Sequence, residues 1–358
     1  MSAAAPSTDA LAWGGIPHTC AVTQQETTSD DHFGDRLDSW PGVSVIVTVL
    51  NEAGHLAEAL AMVLDQDYQG EIEVVVALGP SHDGTETIAR RLRQEDPRIV
   101  LVDNHSGRTP DGLNAAIGAS SHDIVARVDG HAEIPRDYLR HAVAELRRVG
   151  ADNVGGIMDA QGISPFQRAV ACAMKSRLGV GNARFHVGGQ AGEAETVYLG
   201  VFRRSALERV GGYDPHYSRA QDWEMNHRIR STGGTVWFTP ELRVTYRPRA
   251  RLRELARQYF HYGRWRRVVA RRHAGTINAR YLAAPTMVVG TTVAVVAGVA
   301  WAPAFLLPAT YVAAVTVGGL AISRDEPASV RIRTPLVLAV MHWSWGVGFL
   351  TSTKSSLD

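Results

Sequence analysis

Val43-Ser-Val-Ile-Val-Thr-Val-Leu-Asn-Glu52 is a run of β-branched, apolar residues that ends in an amide and an acid. Such a run predicts a buried strand followed by a polar turn. Amphipathic stretches separate it from three similar runs. The predicted strands are Val43–Val49, Ile72–Leu78, Ile99–Val102 and Ile124–Val128, and the predicted helices are Leu56–Leu64, Thr85–Gln94, Gly112–Ala119 and Pro135–Val149. This alternation predicts an α/β fold with a mostly parallel sheet, helices on both faces and ligands beyond the carboxyl ends of the strands.

Composition narrows the function classes. The chain has 358 residues, is 45% hydrophobic and carries a formal net charge of +1, so it has no overall polyanion-binding signature. Its two cysteines, Cys20 and Cys172, lie far apart, which excludes a disulfide framework and a thiolate metal site and fits a reducing compartment. A dinucleotide-binding dehydrogenase is disfavoured because no Gly-x-Gly-x-x-Gly follows the first strand.

Long apolar runs dominate the C-terminal part. Three of them, each close to the roughly 20 residues that cross a bilayer as a helix, are Leu282–Ala300, Ala304–Ile322 and Pro335–Thr351. The first forty residues are instead rich in Ser, Thr, Ala and Asp, which predicts a flexible tail. We therefore expect a flexible tail over residues 1–40, an α/β domain over 41–245, a basic interface region over 246–280 and a membrane region with about three transmembrane helices over 281–358.

A basic amphipathic stretch precedes the apolar runs. Leu252–His273 combines apolar residues at helical spacing with many arginines, which is typical of a helix lying on a membrane surface. Its arginines, with Arg324, Arg331 and Arg333, predict a multi-pass protein of the cell membrane whose catalytic domain faces the cytoplasm. Nucleic-acid binding is not expected, because a hydrophobic anchor follows this stretch directly.

Two short polar motifs are candidates for chemistry. Asp129-Gly-His131 follows the fourth predicted strand, and a carboxylate and an imidazole that flank a glycine can converge on one divalent cation, Mn²⁺ or Mg²⁺. A simple turn is the alternative interpretation. Gln221-Asp-Trp-Glu224 supplies two carboxylates just before a helical stretch, and a carboxylate there can act as a general base.

Helix capping is the alternative role for several of these polar residues. Asn51 is a candidate cap for the helix that begins near His55, Thr109 and Asp111 for the next helix but one, and Asp222 for the helix over Met225–Ser231. The sequence leaves both roles open.

In order and spacing, these motifs resemble those of the inverting family 2 glycosyltransferases, which use nucleotide-sugar donors on a GT-A fold. The Asp-x-His motif resembles that of the succinoglycan-type exopolysaccharide glucosyltransferases. The resemblance covers roughly residues 43–273 and implies Asp222 as catalytic base, with Glu224 as alternative base or orienting group, and Asp129 and His131 as metal ligands. The implied donor contacts are Thr48, Leu50, Glu52, Gly79, Asp83, Arg108, Asn114 and Asp129, and the implied diphosphate or acceptor contacts are Tyr198, Gly200, Arg264 and Trp265.

Three positions depart from the family pattern. Leu78 stands where members usually carry the acid that reads uracil, Gln221 where they carry a glutamate beside the base, and His261 in the glutamine place of the Gln-x-x-Arg-Trp motif. The resemblance implies transfer of a sugar, with UDP-glucose as the expected donor, to a lipid-linked glycan. A polyprenyl-phosphate glycosyltransferase and a catalytically silent binding module remain as alternatives.

Overall fold

The structure is a computed structural model that describes residues 39–353. The predicted tail therefore lies almost entirely outside the described residues, as does Cys20. The strands are β1 Val43–Val49, β2 Ile72–Leu78, β3 Ile99–Asp103, β4 Ile124–Arg127, β5 Asn153–Ala160, β6 Gly192–Glu193, β7 Tyr198–Arg203 and β8 Val236–Tyr246. The helices are α1 Leu56–Leu64, α2 Thr85–Glu95, α3 Thr109–Ala119, α4 Tyr138–Val149, α5 Pro165–Met174, α6 Arg177–Val180, α7 Arg184–Val187, α8 Arg204–Val210, α9 Gln221–Ser231, α10 Leu252–Arg272, α11 Ala279–Gly298, α12 Leu306–Ile322, α13 Ala328–Arg331 and α14 Thr334–Thr351, with a 3₁₀ turn at Ala302–Phe305.

The described strands form one sheet in the order β3-β2-β1-β4-β7-β5-β8-β6. β1 pairs in parallel with β2 and β4, and β2 pairs in parallel with β3. β7 lies antiparallel between β4 and β5. The predicted α/β fold is thus confirmed, and the carboxyl ends of the parallel strands β1, β2 and β4 meet at one edge of the sheet.

Helices cover both faces of this sheet because side chains alternate along each strand. Val45 and Val74 belong to the apolar cluster that contains Val143 of α4. Ile46 belongs to the cluster on the opposite face, with Met225 of α9. The predicted boundaries hold to within a few residues. α3 begins three residues earlier than predicted, with proline in its first turn, and α4 begins three residues later.

α10 packs closely along α14. A Cβ added at Gly263 would lie 1.9 Å from the carbonyl oxygen of Trp345, and one added at Gly348 would lie 2.0 Å from that of Phe260. The two backbones therefore touch where each helix carries a glycine. The apolar face that the sequence assigned to a membrane surface is covered at these positions by another helix of the chain.

Two described helices, Ala279–Gly298 and Ala302–Ile322, are long and apolar enough to cross a membrane, by length and composition alone. Both expose large side chains, among them Val293 at 60% and Val317 at 68%. The third predicted span forms α14, which does not meet the same criterion. Its residues Val337, Leu338 and Met341 are buried against the rest of the protein.

We predict that Gly263→Ala destabilises the chain, since the new methyl group would overlap the Trp345 carbonyl. Overpacking of this kind costs about 1–3 kcal/mol, which should lower the melting temperature of the purified protein by several degrees. Gly118→Ala in α3 is the matched control, because nothing lies within 4 Å of its added Cβ. Equal melting temperatures for the two variants would contradict the observed α10–α14 packing.

Candidate active site

A buried arginine joins the two candidate carboxylates. Arg127 ends β4 and is 5% exposed. Its Nη2 donates to Oδ1 of Asp129 at 2.8 Å, and its Nη1 donates to Oδ1 of Asp222. Asp129 follows β4, whereas Asp222 lies in the first turn of α9. The shared arginine therefore brings two motifs that are distant in sequence to one place at the sheet edge.

The two carboxylates have different proton affinities. Burial acts to raise the pKa of Asp129, but the positive charges of Arg127 and His131 hold that pKa below its ordinary value. The pKa of Asp222 is raised, first by loss of water around the carboxylate and also by the negative Asp129, with Arg127 opposing both. Asp129 is thus suited to remain anionic, and Asp222 is the more basic of the two.

His131 contacts Glu52 from the loop after β1. Nδ1 of His131 lies 3.0 Å from Oε1 of Glu52, and this contact, with the charge of Asp129, raises the pKa of the imidazole. Because a carboxylate oxygen accepts, Nδ1 carries the proton, and Nε2 of the neutral ring keeps its lone pair. Within residues 39–353, no group of three or more His, Cys, Asp or Glu side chains forms a complete metal cage.

Asp83 holds Glu52 in place through the backbone. Its Oδ2 accepts from the amide of Ala53 at 3.0 Å, and its Oδ1 accepts from Oγ1 of Thr85 at 2.6 Å. The same Thr85 oxygen accepts from the amide of Glu52 at 2.8 Å. These bonds clamp the loop after β1 to the start of α2. Within that loop, Asn51 adopts a positive φ of 57°. Asp83 is therefore part of the loop framework.

An apolar surface lies beside this clamp. Leu50 is 42% exposed, and a Cβ added at Gly79 would lie 3.1 Å from its Cδ1. The Cα atom of Gly107 would lie 3.4 Å from the same added Cβ. Thr48 sits deeper, where a Cβ on Gly112 would lie 2.3 Å from its Oγ1. The chain is therefore closely packed at these glycines, and the exposed Leu50 side chain supplies the apolar surface next to Glu52.

Arg108 and Asn114 contact the segment that leads into α9. Nδ2 of Asn114 donates to the carbonyl of Tyr213 at 2.7 Å, and its Oδ1 accepts from the Tyr213 amide at 2.8 Å. Nη2 of Arg108 donates to the carbonyl of Pro215. Both side chains therefore position the approach to Asp222 in this structure, and their predicted donor contacts stay predictions.

The capping alternatives are wrong. The N-cap residues of α1, α3 and α9 are His55, Arg108 and Ala220, and none of these helices has a side-chain cap hydrogen bond. Ala220 turns the chain into α9 with a left-handed φ of 60°. This turn leaves the Asp222 carboxylate directed at Arg127.

Glu224 has a buried, structural environment. It is 1% exposed, and its carboxylate accepts from Nε and Nη2 of Arg228 at 2.8 Å and 2.7 Å. Nε2 of His273, just beyond α10, lies 3.2 Å from the same carboxylate. Both oxygens are engaged inside the protein, so Glu224 is poorly placed to receive a proton from a substrate.

The predicted acceptor-side residues differ in accessibility. Tyr198 starts β7 and is partly buried; burial and the nearby Asp129 raise the pKa of its phenol well above the ordinary value. Gly200 is buried, and a Cβ there would lie 2.5 Å from Oδ1 of Asn153. Tyr198 thus faces the region of Asp129, whereas Gly200 permits close packing inside the sheet.

α10 approaches the site from its other side. The ring centroids of Trp265 and Tyr217 lie 6.2 Å apart. Arg264, the other implied diphosphate or acceptor contact on this helix, lies one position before Trp265. Arg266, which the sequence reasoning did not select, is 6% exposed and stacks 4.0 Å from the ring centroid of Trp223. α9 therefore rests on α10 at this contact.

The structure brings together Asp129, His131, Glu52 and Asp222, and it adds Arg127 as the residue that sequence reasoning missed. A charged residue inside an otherwise apolar strand was the available signal, because an arginine is almost never buried unless it is paired. The predicted roles of the individual residues stay predictions.

The sequence matches a family model and several known proteins. The family model described as glycosyl transferase family 2 matches residues 44–211. The succinoglycan biosynthesis protein ExoA of Rhizobium meliloti is 33% identical over 312 residues, which cover 85% of this chain and 93% of that protein. The glycosyltransferase AglE of Haloferax volcanii is 27% identical over 232 residues, covering 63% of this chain and 72% of that protein.

Solved structures agree on the fold. The mannosyltransferase PcManGT from Pyrobaculum calidifontis, in complex with GDP-Man and Mn²⁺, superposes with a TM-score of 0.58 at 23% identity and covers 85% of this chain and 86% of its own. S. aureus TarS 1–349 in complex with UDP-GlcNAc gives 0.50 at 15% identity, covering 87% and 91%. The predicted GT-A fold is thereby confirmed, and the chain belongs to glycosyltransferase family 2.

Proposed function

We propose that the chain is a membrane-anchored, metal-dependent, inverting glycosyltransferase of exopolysaccharide synthesis. It moves a hexose from a nucleoside-diphosphate sugar to a hydroxyl group of a lipid-linked glycan. The observation that carries this proposal is the pairing of Asp129 and Asp222 through Arg127, because it sets a metal-type carboxylate beside a more basic one. The likeness to the succinoglycan biosynthesis protein supports the polymer class.

The donor set fits a divalent cation. Asp129 offers a carboxylate whose lowered pKa keeps it charged, and Glu52 holds His131 so that Nε2 is available. Two protein donors leave room for diphosphate oxygens, and Mn²⁺ suits a mixed oxygen and nitrogen set better than Mg²⁺. When bound, the cation supplies charge stabilisation for the departing diphosphate.

Asp222 is proposed as the general base. The acceptor hydroxyl gives its proton to the Asp222 carboxylate while its oxygen bonds to the anomeric carbon from the face opposite the leaving group. The bond between that carbon and the phosphate oxygen breaks, and the nucleoside diphosphate keeps the electron pair. The raised pKa of Asp222 favours this transfer, and Arg127 orients the carboxylate.

The nucleotide is proposed to lie on the exposed side chain of Leu50, close to Glu52. UDP-glucose is the first donor to test, and GDP-mannose is the second because the mannosyltransferase neighbour was solved with GDP-Man. A donor screen that follows nucleotide release in the presence of membrane lipid extract tests the proposed activity. If none of the donor sugars releases its nucleotide under any metal condition, the result would favour the silent binding module.

Asp222→Asn should reduce the turnover number by a factor of about 10² to 10⁴, the usual contribution of a positioned base. The amide cannot take the proton. Because the Asp222 side chain is 43% exposed and Arg127 keeps Asp129 as a partner, the melting temperature should fall less than for a fully buried pair. Nucleotide release under saturating donor measures the effect. An acceptor that is itself a phosphate needs little deprotonation, so an unchanged turnover number would instead favour the polyprenyl-phosphate glycosyltransferase.

Glu224→Gln is the contrasting variant, since its carboxylate is buried between Arg228 and His273. Removing one partner from a buried ion pair costs about 3–5 kcal/mol. We therefore expect this variant to lose more thermal stability than Asp222→Asn, because the Glu224 side chain is 2% exposed and that of Asp222 is 43% exposed. If Glu224→Gln lost turnover while Asp222→Asn kept it, the base role would pass to Glu224.

Metal dependence is tested by calorimetry with UDP and GDP. We expect Mn²⁺ to increase nucleotide affinity for the wild-type chain, and Asp129→Asn to abolish that increase because one of two protein ligands is lost. Asp96→Asn, which lies at the end of α2 and pairs with Arg98 outside the site, should keep metal-dependent binding. Metal-independent binding by the wild-type chain would overturn the cation site.

The membrane anchor is proposed to be the hairpin of α11 and α12. The 20 residues of α11 extend about 30 Å, which is the thickness of a bilayer core. Arg280, at the start of the hairpin, pairs with Glu195 at 2.7 Å, and Glu326, beyond its end, pairs with Arg168 at 2.5 Å. Both partners belong to the catalytic domain, so the hairpin leaves and rejoins one side.

α14 returns to the same side at both ends. Its start follows Glu326, which is tied to α5. Near its end, Nη1 of Arg267 donates to the carbonyl of Phe349 at 3.2 Å, and Nη2 of Arg271 donates to that of Ser352 at 2.6 Å. A helix with both ends on one side does not cross a bilayer, so we propose two membrane spans in place of the three predicted from hydropathy.

Cysteine labelling distinguishes two spans from three. In a chain with both native cysteines changed to serine, single cysteines replace Gln94 on the catalytic domain or Ala302 at the hairpin tip, or follow Asp358. A membrane-impermeant maleimide should reach the C-terminal cysteine from the same side of the membrane as position 94. It should reach position 302 only from the other side. A C-terminal cysteine that behaves like position 302 would restore the three-span topology.

A further inference from the structure

A groove runs between the first half of α10 and the second half of α14. Its volume is about 900 Å³. It combines cationic side chains from the start of α10 with apolar side chains from both helices. The residues that define it are Arg251, Arg253, Arg257, Phe260, Trp343 and Val347. None of them belongs to the site around Arg127.

The cationic half of the groove has little internal compensation. Glu254 is the one acid among its lining residues, and it lies 3.9 Å from Arg251. Within residues 39–353, Arg253 and Arg257 form no ion pair. Three guanidinium groups with one carboxylate leave a net positive charge, which an anionic group can neutralise.

The apolar half continues along α14 beyond the groove. Leu336, Trp343, Val347 and Leu350 recur at intervals of seven, four and three residues, so they share one helix face. Leu336 is 53% exposed and Leu350 is 37% exposed. An exposed apolar stripe next to arginines is the pattern of a helix that lies in the plane of a membrane interface.

We propose that this groove, the α10–α14 groove, binds an anionic phospholipid of the bilayer. The headgroup phosphate pairs with Arg251, Arg253 and Arg257, and the acyl chains lie along Phe260, Trp343 and Val347. This proposal rests on the hairpin anchor proposed above, which brings the groove to the level of the headgroups.

The bilayer lipid explains both halves of the surface. A free phosphate would satisfy the arginines but leave the tryptophan and valine side chains in water. A single lipid-linked substrate would occupy the groove but not the stripe that extends past it to Leu336 and Leu350. A continuous layer of acyl chains covers the whole stripe.

Lipid selection by the intact chain tests the proposal. The full chain is reconstituted into vesicles with equal amounts of phosphatidylcholine and phosphatidylglycerol, and native mass spectrometry measures the ratio of the two lipids it retains. The wild-type chain should retain phosphatidylglycerol preferentially. Each Arg→Gln change at 251, 253 or 257 should lower the ratio by up to about fivefold, the factor that corresponds to about 1 kcal/mol for a basic residue at a charged membrane surface.

The double variant Arg253→Gln with Arg257→Gln has a charge-matched control in Arg90→Gln with Arg91→Gln. Arg90 and Arg91 lie exposed on α2 of the catalytic domain. The control should retain the wild-type ratio. An equal loss in both double variants would reduce the effect to overall charge and overturn the groove.

Two further arms identify the ligand. Excess inorganic phosphate should not release the bound lipid, and a small fraction of polyprenyl phosphate should not replace it. Replacement by polyprenyl phosphate would make the groove an acceptor site and overturn the proposal. Failure of the chain to enter phosphatidylcholine vesicles would count against the anchor, whereas normal insertion without lipid preference would count against the groove alone.

Discussion

The ion triad of Asp129, Arg127 and Asp222 is the constraint on which the rest of the site depends. A guanidinium that is 5% exposed has lost most of its water, and this cost is offset only while both carboxylates stay paired with it. Arg127 is fixed by β4, so Asp222 must come to it. The left-handed turn at Ala220 makes that approach possible by directing the first turn of α9 toward the sheet edge.

α9 then connects this edge to the C-terminal helices. Of three consecutive residues on it, Asp222 faces Arg127, Trp223 stacks on Arg266, and Glu224 is buried beside Arg228. The other face of the Arg266 guanidinium lies 4.0 Å from the ring centroid of Tyr281, which is in α11. Arg266 therefore links α9, which carries the proposed base, to the start of the proposed anchor.

The sequence predicted the sheet, and it predicted that Glu52, Asp129 and His131 follow its strands, because those features are local. Runs such as Ile72–Leu78 are strands by composition, and Asp129 follows its strand wherever the chain goes. It did not predict the place of α14, since an apolar helix has the same hydropathy in a protein core and in lipid. The distinction lies in contacts such as Gly263 against Trp345, which no local pattern contains. The capping alternatives failed for a related reason, because the residue at which a helix begins depends on backbone turns. The left-handed turn at Ala220 starts α9 at Gln221, so Asp222 lies inside the helix and not at its cap.

Leu78 has a consequence for donor selection in the proposed enzyme. It ends β2, is 9% exposed, and its carbonyl accepts from the amide of Asn104 at 2.8 Å. A carboxylate at this position would accept a hydrogen bond from a ring N–H of the base, which leucine cannot do. Discrimination between bases must then come from backbone groups and from the shape of the surface around Leu50. Apolar contact of this kind separates similar ligands by only about 1–3 kcal/mol, so this chain should distinguish uracil from guanine less sharply than a relative that keeps the acid.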